Sequence, residues 1–541
     1  MHLMVNGALA ALLASAVSAA PPIQTDFSVW PKPSNYSCAT SSQQLPQGAS
    51  LELVLSFGET PPARDAAELP ALFKDEISPA IFAHHTVPAA AGAAIPLSVK
   101  VGAFAAQLAL ETNEDYTLSF ADAAQGIQIT APTQLGAIHA LESLSQLIYF
   151  DFAAQRYTLP ASCAIADSPR FKHRGLLIDT GRHFEPLPQL EKILRTMRMN
   201  KLTVLHWHLV EIQSFPVRSE LFPELSQQGA WSTLEQYTLG DLAYVVDFAR
   251  KQGIRVVPEF DQPGHTGSMW YSHPELFACQ PPASGMGSFG VAVNPLHENV
   301  YTFMNALMGE LLAIFPDQYF HIGTDEVPED CWKSLPGCVN DLNGCFQTYI
   351  DRVSANLTAG DFPTKTAPRK VIAWDEAVIK ATPTDKANTV IQVWHQPDLI
   401  KTATDKGYKV IASPALGANN WYLDHLSTKW SDEYNWDPVI AGVDEANVLG
   451  GEGCMWGETV DVSDFDQTVW PRMSAIGERL WSPRAATQDL KDAESRLGKF
   501  RCLMNARGVG ATVLGGGGRP ALKGAGSCFQ RLANVTANAS A

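Results

Sequence analysis

The run His321-Ile-Gly-Thr-Asp325-Glu326-Val327 sets two carboxylates side by side directly after a short apolar segment. Adjacent carboxylates repel, and packing that holds them together raises one pKa, leaving an acid beside an ionised partner. Such a pair suits general-acid catalysis. The bland alternative, Asp325 capping the next helix with Glu326 on the surface, needs no chemistry. Further chemistry-capable side chains decide between them, because they recur at the ends of β-rich runs. They are Asp179 and Arg182; His206 and His208; Glu259, Asp261 and His265; Trp374 and Asp375; Trp394; and Trp456 with Glu458. One charged residue at a strand end is an ordinary solvated rim group, whereas a succession of them describes a site. Tryptophan among carboxylates points to a sugar: pyranose faces stack on indole, and the hydroxyls take charged hydrogen-bond partners.

His206 and His208, two apart on one strand face, could in principle bind zinc. The sequence identifies no third ligand, so hydrogen-bonded packing beneath the site is the preferred reading. No metal and no cofactor is expected.

The elements that must position these residues begin at Arg174. From there short apolar strands alternate with amphipathic helices, the strands ending at Asp179, Val210, Asp261, Glu326, Asp375, Trp394, Ser413 and Trp456. Continuous runs such as Gly175-Leu-Leu-Ile178 and Ile254-Arg-Val-Val257 suit parallel strands covered on both faces. Between them Leu190, Ile193, Leu194 and Met197 share one helical face, as do Leu242, Val245, Val246 and Ala249, and Phe303, Met304, Leu307 and Leu311. Thr238 with Asp241 reads as a capping box and Gly253 as a helix stop. This pattern predicts an α/β fold with a (β/α)8 TIM barrel, whose site lies at the C-terminal ends of its strands. A doubly wound sheet is the runner-up, but no G-x-G-x-x-G follows the first strand. The run Gly515 to Gly518 lacks the Lys-Ser/Thr of a phosphate loop and reads as a turn.

Upstream, residues 21–165 read as a small α+β companion domain, and residues 166–541 as the barrel with a C-terminal extension. Leu51 to Leu55, Tyr116 to Phe120 and Ile127 to Ile129 alternate like strands, and Gln134 to Phe150 has helical spacing. Residues 1–20 read as a secretory signal, with an apolar stretch from Leu9 to Val17 and a small-residue cleavage pattern at Val17-Ser-Ala19. The predicted location is therefore extracellular, or a vacuole-like or lysosome-like compartment on the secretory route. Sequons at Asn35, Asn356, Asn534 and Asn538 agree with that route. Nine cysteines are an odd number, so at least one stays unpaired; Cys454 is the candidate thiol. Cys279 with Cys331, Cys338 with Cys345, and Cys502 with Cys528 are candidate bridges. A net charge of −17 argues against nucleic acid or an anionic membrane as a partner.

Taken in order, these residues resemble glycoside hydrolase family 20, the β-N-acetylhexosaminidases, over nearly the whole mature chain. The resemblance runs from Trp30-Pro31 and the helix Gly136 to Leu147 through His173 to His183, Leu205-His-Trp-His208, Pro258-Glu-Phe-Asp261 and Pro263-Gly-His265. It continues through His321 to Val327, Trp421 to Asp424, Gly451 to Glu458 and Glu478 to Ser482. It is nearest to eukaryotic, fungal-type secreted members. It implies an exo-acting hydrolase that releases terminal N-acetylhexosamine, GlcNAc or GalNAc, from oligosaccharides or glycoconjugates. The substrate's own acetamido group would act as nucleophile through an oxazolinium ion.

On this resemblance Glu326 is the general acid and Asp325 orients the acetamido N–H. Tyr422 donates to the acetamido oxygen, and Glu211 orients His265 behind the acid. Arg182, Asp424 and Glu458 hold hydroxyls, and Trp374, Trp394 and Trp456 wall the pocket. A homodimer is also implied. Two departures stand out. Glu211 occupies a position where the family places Asp, so its longer side chain is expected to reach His265 under strain, shifted, or through water. Gly181 replaces Ser before Arg182. The alternatives are a non-catalytic or weakly active sugar-binding relative, which would be expected to lack Asp325 or Glu326, and a glycosidase for disaccharide units, with a more open pocket.

Overall fold

The computed structural model describes residues 29–82, 94–151, 154–281, 290–362, 366–415, 420–426 and 428–514. The expected signal segment, the sequons at Asn534 and Asn538, Cys528 and the run Gly515 to Gly518 lie outside the described residues.

The small domain carries β1 (Asn35–Cys38), β2 (Ser42–Gln44), β3 (Ser50–Phe57), β4 (Ala94–Ala103), β5 (Tyr116–Phe120), β6 (Ile127–Thr133), β7 (Tyr149–Asp151), β8 (Arg156–Pro160) and β9 (Cys163–Asp167). Six of them form one mixed sheet in the order β1-β9-β5-β6-β4-β3, and β2-β8-β7 form a second. Strict alternation buries one face of β5, whose Tyr116, Leu118 and Phe120 point inward. The helix Gln134–Leu147 packs on that side against β5 and β6. It stops three residues short of the span expected from periodicity. Tyr149 and Phe150, better suited to a pleated surface, pair with β8 instead.

Eight parallel strands then close a barrel: β10 (His173–Asp179), β11 (Val204–His208), β12 (Arg255–Gln262), β13 (Tyr319–Gly323), β14 (Lys370–Trp374), β15 (Thr389–Val393), β16 (Lys409–Ala412) and β17 (Val448–Met455). Pairing of β17 with β10 closes the ring, which excludes the doubly wound sheet. Two strands end two or more residues before the expected point. β11 stops at His208 because the chain turns, with the Glu211 N–H donating to Ser214, and β13 stops at Gly323 for a backbone reason given below. The helix Leu239–Lys251 opens on the Thr238–Asp241 capping box and is followed by Gly253 at φ +81°.

Buried ion pairs tie the small domain to the barrel. Lys201 Nζ lies 3.1 Å from Asp167, and Arg198 Nε 2.8 Å from Glu142. Arg174 grips Glu114, and the Trp481 indole N–H donates to Asp167 at 3.0 Å. Each charge is matched, which burial requires. Disulfides join Cys279 to Cys331 and Cys338 to Cys345 as expected, and Cys38 to Cys163, a pair the sequence did not single out. Cys502 is also disulfide-bonded. Cys454 is free and buried.

Candidate active site

After β13 the chain leaves strand geometry. Gly323, Thr324 and Glu326 adopt φ values of +65°, +85° and +42°, and His265, beyond β12, sits at +52°. Glycine is required at 323, since a Cβ there would lie 1.6 Å from Asp261 Oδ1. Each non-glycine residue in this region costs on the order of 1–3 kcal/mol, and such strain collects where function fixes a side chain.

The strained turn delivers Asp325 and Glu326 to His265. His265 Nε2 lies 3.6 Å from Asp325 Oδ2 and 3.5 Å from Glu326 Oε2. Its Nδ1 lies 2.5 Å from Glu211 Oε1. Burial opposes charge on His265, yet Glu211, Asp325 and Asp261 outweigh it and hold the imidazolium well above its usual range. The Glu211–His265 link is therefore direct, not lengthened or water-mediated. Glu211 also meets Arg182 Nη2 at 2.8 Å and accepts the Ile212 N–H. Despite burial, His265 and Arg182 keep its carboxyl well below the ordinary value.

The second departure packs directly against the first. A Cβ on Gly181 would lie 2.7 Å from the Glu211 nitrogen and 2.8 Å from its Cβ. Real side chains do not approach backbone so closely, so glycine at 181 makes room for residue 211. Gly181→Ser is predicted to displace Glu211 from Arg182 and His265 and lower kcat/KM about tenfold or more, the scale of a positioning error. Steady-state kinetics check it; unchanged values mean the turn absorbs the hydroxymethyl group.

Around the acid pair, β14, β15, β17 and the 420–426 segment supply walls. Trp374, Tyr422 and Trp456 form a buried cluster with Trp394 packed on it. Trp394 and Tyr422 lie 6.2 Å apart and 15° from parallel, and Trp456 is 5.9 Å from both Tyr422 and Trp374. Trp374 is only 1% exposed and donates its indole N–H to Glu259 at 2.9 Å, so it forms the floor. Asp179 accepts from the Gly181, Arg182 and Gly457 N–H groups and from Arg182 Nη1, which aims the guanidinium. Glu458, half exposed, approaches Arg182 Nε at 3.5 Å. Asp424 lies 3.4 Å from His425.

Below the site, Glu259 meets three rings: His206 Nε2 at 3.2 Å, His208 Nδ1 at 2.5 Å and His321 Nδ1 at 2.9 Å. Glu452 meets His173 at 2.5 Å and His206 at 2.8 Å. The sequence offered no third partner for His206 and His208; the structure supplies Glu259 and His321 within reach of one another. Direct imidazole–carboxylate contacts already engage Glu259, which makes this a charged barrel core. Glu452 and Glu376, which also faces the site, received no separate role from the sequence. A carboxylate within the apolar run of β17 was a readable signal for Glu452; Glu376 looked like an ordinary acidic residue in a first helical turn.

Of the adjacent carboxyls, Asp325 is pushed up to about 6 by burial, against His265 and with Glu259 and Glu326 adding to the rise. Burial also lifts Asp424 to about 6, Glu433 to about 7 and Glu185 to about 8. A carboxyl raised in the folded state stabilises fully below its unfolded pKa of about 4, and that contribution fades as pH climbs through the folded value. His206, held near 9 because Glu452 and Glu259 overcome its burial, changes in the same direction. His139, His173 and His321, depressed by burial, oppose the trend only at pH values below about 6.5. The unfolding midpoint measured by calorimetry is predicted to be higher near pH 5 than near pH 8. Equal midpoints would contradict these burial effects.

Residues 171–484 match the model of the glycosyl hydrolase family 20 catalytic domain, and residues 29–147 that of the β-acetyl hexosaminidase-like domain. The chain is 38% identical to mouse β-hexosaminidase subunit beta over 423 residues, 75% of each chain. It is 35% identical to β-hexosaminidase 3 of Arabidopsis thaliana over 417 residues, 74% of each. Among solved structures it resembles the chitobiase of Flavobacterium johnsoniae, with a TM-score of 0.77 and 26% identity, covering 90% of this chain and 74% of that one. The fold also matches the β-N-acetylhexosaminidase of Streptomyces coelicolor A3(2), at TM-score 0.70 and 23% identity, covering 91% of this chain and 98% of that one.

Proposed function

Since the chain belongs to glycosyl hydrolase family 20, we propose that its site releases one terminal β-linked N-acetylhexosamine at a time, using the substrate's acetamido group as nucleophile. The protein is a glycosidase acting on β-N-acetylhexosaminides. One observation carries the residue roles: a single buried imidazolium, His265, lies within 3.6 Å of both Asp325 and Glu326.

Glu326 is the more open of the two, its side chain 36% exposed against 11% for Asp325. It protonates the leaving glycosidic oxygen, and His265 stabilises the carboxylate that remains. The acetamido oxygen attacks C1 as the leaving group departs, and water later opens the oxazolinium ring with Glu326 as base. Asp325, with its Oδ1 buried and unbonded by protein, accepts the acetamido N–H. That donor favours the carboxylate and offsets the burial that raises Asp325. Tyr422 donates to the acetamido oxygen, and the parallel Trp394 and Tyr422 rings clasp the group beside Trp456 over the Trp374 floor. Arg182, Asp424 and Glu458 take hydroxyls at the non-reducing end, where Glu211 ties Arg182 to His265. Closure at that end makes the action exo.

Retention is the test. Proton NMR of early product is expected to show the β-anomer of the released sugar first; the α-anomer first would rule out an oxazolinium route.

The disulfides support folding on the secretory route, and we place the mature protein outside the cell or in an acidic vacuole-like compartment, as a fungal-type secreted enzyme. Asn35 is exposed on β1 and open to glycosylation. Substrates are chitooligosaccharides or glycans ending in β-GlcNAc or β-GalNAc, and we assign a homodimer on family likeness.

A further inference from the structure

Glu376 opens the short helix Glu376–Ile379 after β14 and is 4% exposed. Its Oε1 accepts the backbone N–H of Glu326 at 3.4 Å, and its Oε2 accepts the indole N–H of Trp394 at 3.1 Å. His395 Nε2 stands 3.9 Å from Oε1. Both hydrogen bonds reach outside its own helix. One ends on the left-handed residue that aims the acid, the other on the ring lying near-parallel to Tyr422.

We propose that Glu376 is a positioning residue, coupling the seat of the acetamido group at Trp394 to the aim of the general acid Glu326. This rests on the assignment of Glu326 as acid. Burial, with Asp325 and Asp375 nearby, keeps the carboxyl protonated well above the usual range. A neutral carboxyl still accepts at both oxygens, whereas an amide accepts at one and only donates at the other. Glu376→Gln therefore keeps the volume and breaks one of the two links.

Up to departure of the leaving group, a misaimed acid matters only when that group needs a proton, and kcat/KM reports those steps without the later ring opening, in which Glu326 is the base. The test compares kcat/KM on an alkyl β-N-acetylglucosaminide with kcat/KM on its 2,4-dinitrophenyl analogue, for the wild type, Glu376→Gln and Glu326→Gln. Glu376→Gln is expected to lose about 10- to 100-fold on the alkyl glycoside and under about threefold on the dinitrophenyl one. Equal loss on both, or none, overturns the positioning role. If Glu326→Gln itself shows no leaving-group dependence, the acid assignment fails; if only Glu376→Gln shows none, the inference fails alone. Should Glu376→Gln not fold, Trp394→Phe removes the same N–H donor together with pocket contacts shared by both substrates: a loss about tenfold or more greater on the alkyl glycoside than on the dinitrophenyl one supports the coupling, and equal loss on both overturns it.

Discussion

Glu326→Gln is expected to lower kcat on unactivated β-N-acetylglucosaminides by about 10²- to 10⁴-fold, the usual worth of a general acid, with KM little changed. The amide has the carboxyl's shape but no acidic proton for the departing oxygen. It also stays neutral, so the imidazolium 3.5 Å away has no developing carboxylate to stabilise. Binding should survive, because Arg182 is fixed from Asp179 and Glu211, not from Glu326. Steady-state kinetics together with product binding by calorimetry check both halves. Turnover of an unactivated glycoside at the wild-type rate would remove Glu326 from the role.

Much of this site is legible in the sequence. Short apolar runs ending in Asp179, Trp374 or Trp456 mark barrel strands, because a strand covered on both faces has no polar side to show until it emerges. Less legible were the places where backbone departs from strand. Nothing in the residue types announces φ of +85° at Thr324 or +42° at Glu326; only Gly323 hinted at a turn, so β13 ends earlier than periodicity suggests. The repulsion argument for adjacent carboxyls named no member of the pair. Burial decides that, and the upward shift falls on Asp325. Glu211 looked like a strained substitution while its neighbours were unknown. In the fold its carboxylate reaches both Arg182 and His265 directly. The charged core of Glu259, Glu452 and their histidines, and the bridge made by Glu376, depend on contacts between strands far apart in the chain, which local pattern cannot supply.

Removing the substrate's acetamido group is expected to have the largest effect of all. An intramolecular nucleophile held against C1 is worth effective molarities of about 10⁵ M or more, so its deletion should cost at least about 10⁴-fold in kcat/KM. Asp325 is a poor substitute. It is buried, raised to about 6 and engaged with His265, in a place suited to an amide N–H. Pocket contacts add to the loss, because Trp394, Tyr422 and Trp456 would close on nothing. The decisive measurement is kcat/KM on paired 4-nitrophenyl β-glycosides that differ only in carrying a 2-acetamido or a 2-hydroxyl group. The acetamido glycoside should be cleaved at least about 10⁴-fold faster. Equal rates on the two would mean that the protein supplies its own nucleophile and that the roles assigned to Asp325 and Tyr422 are wrong.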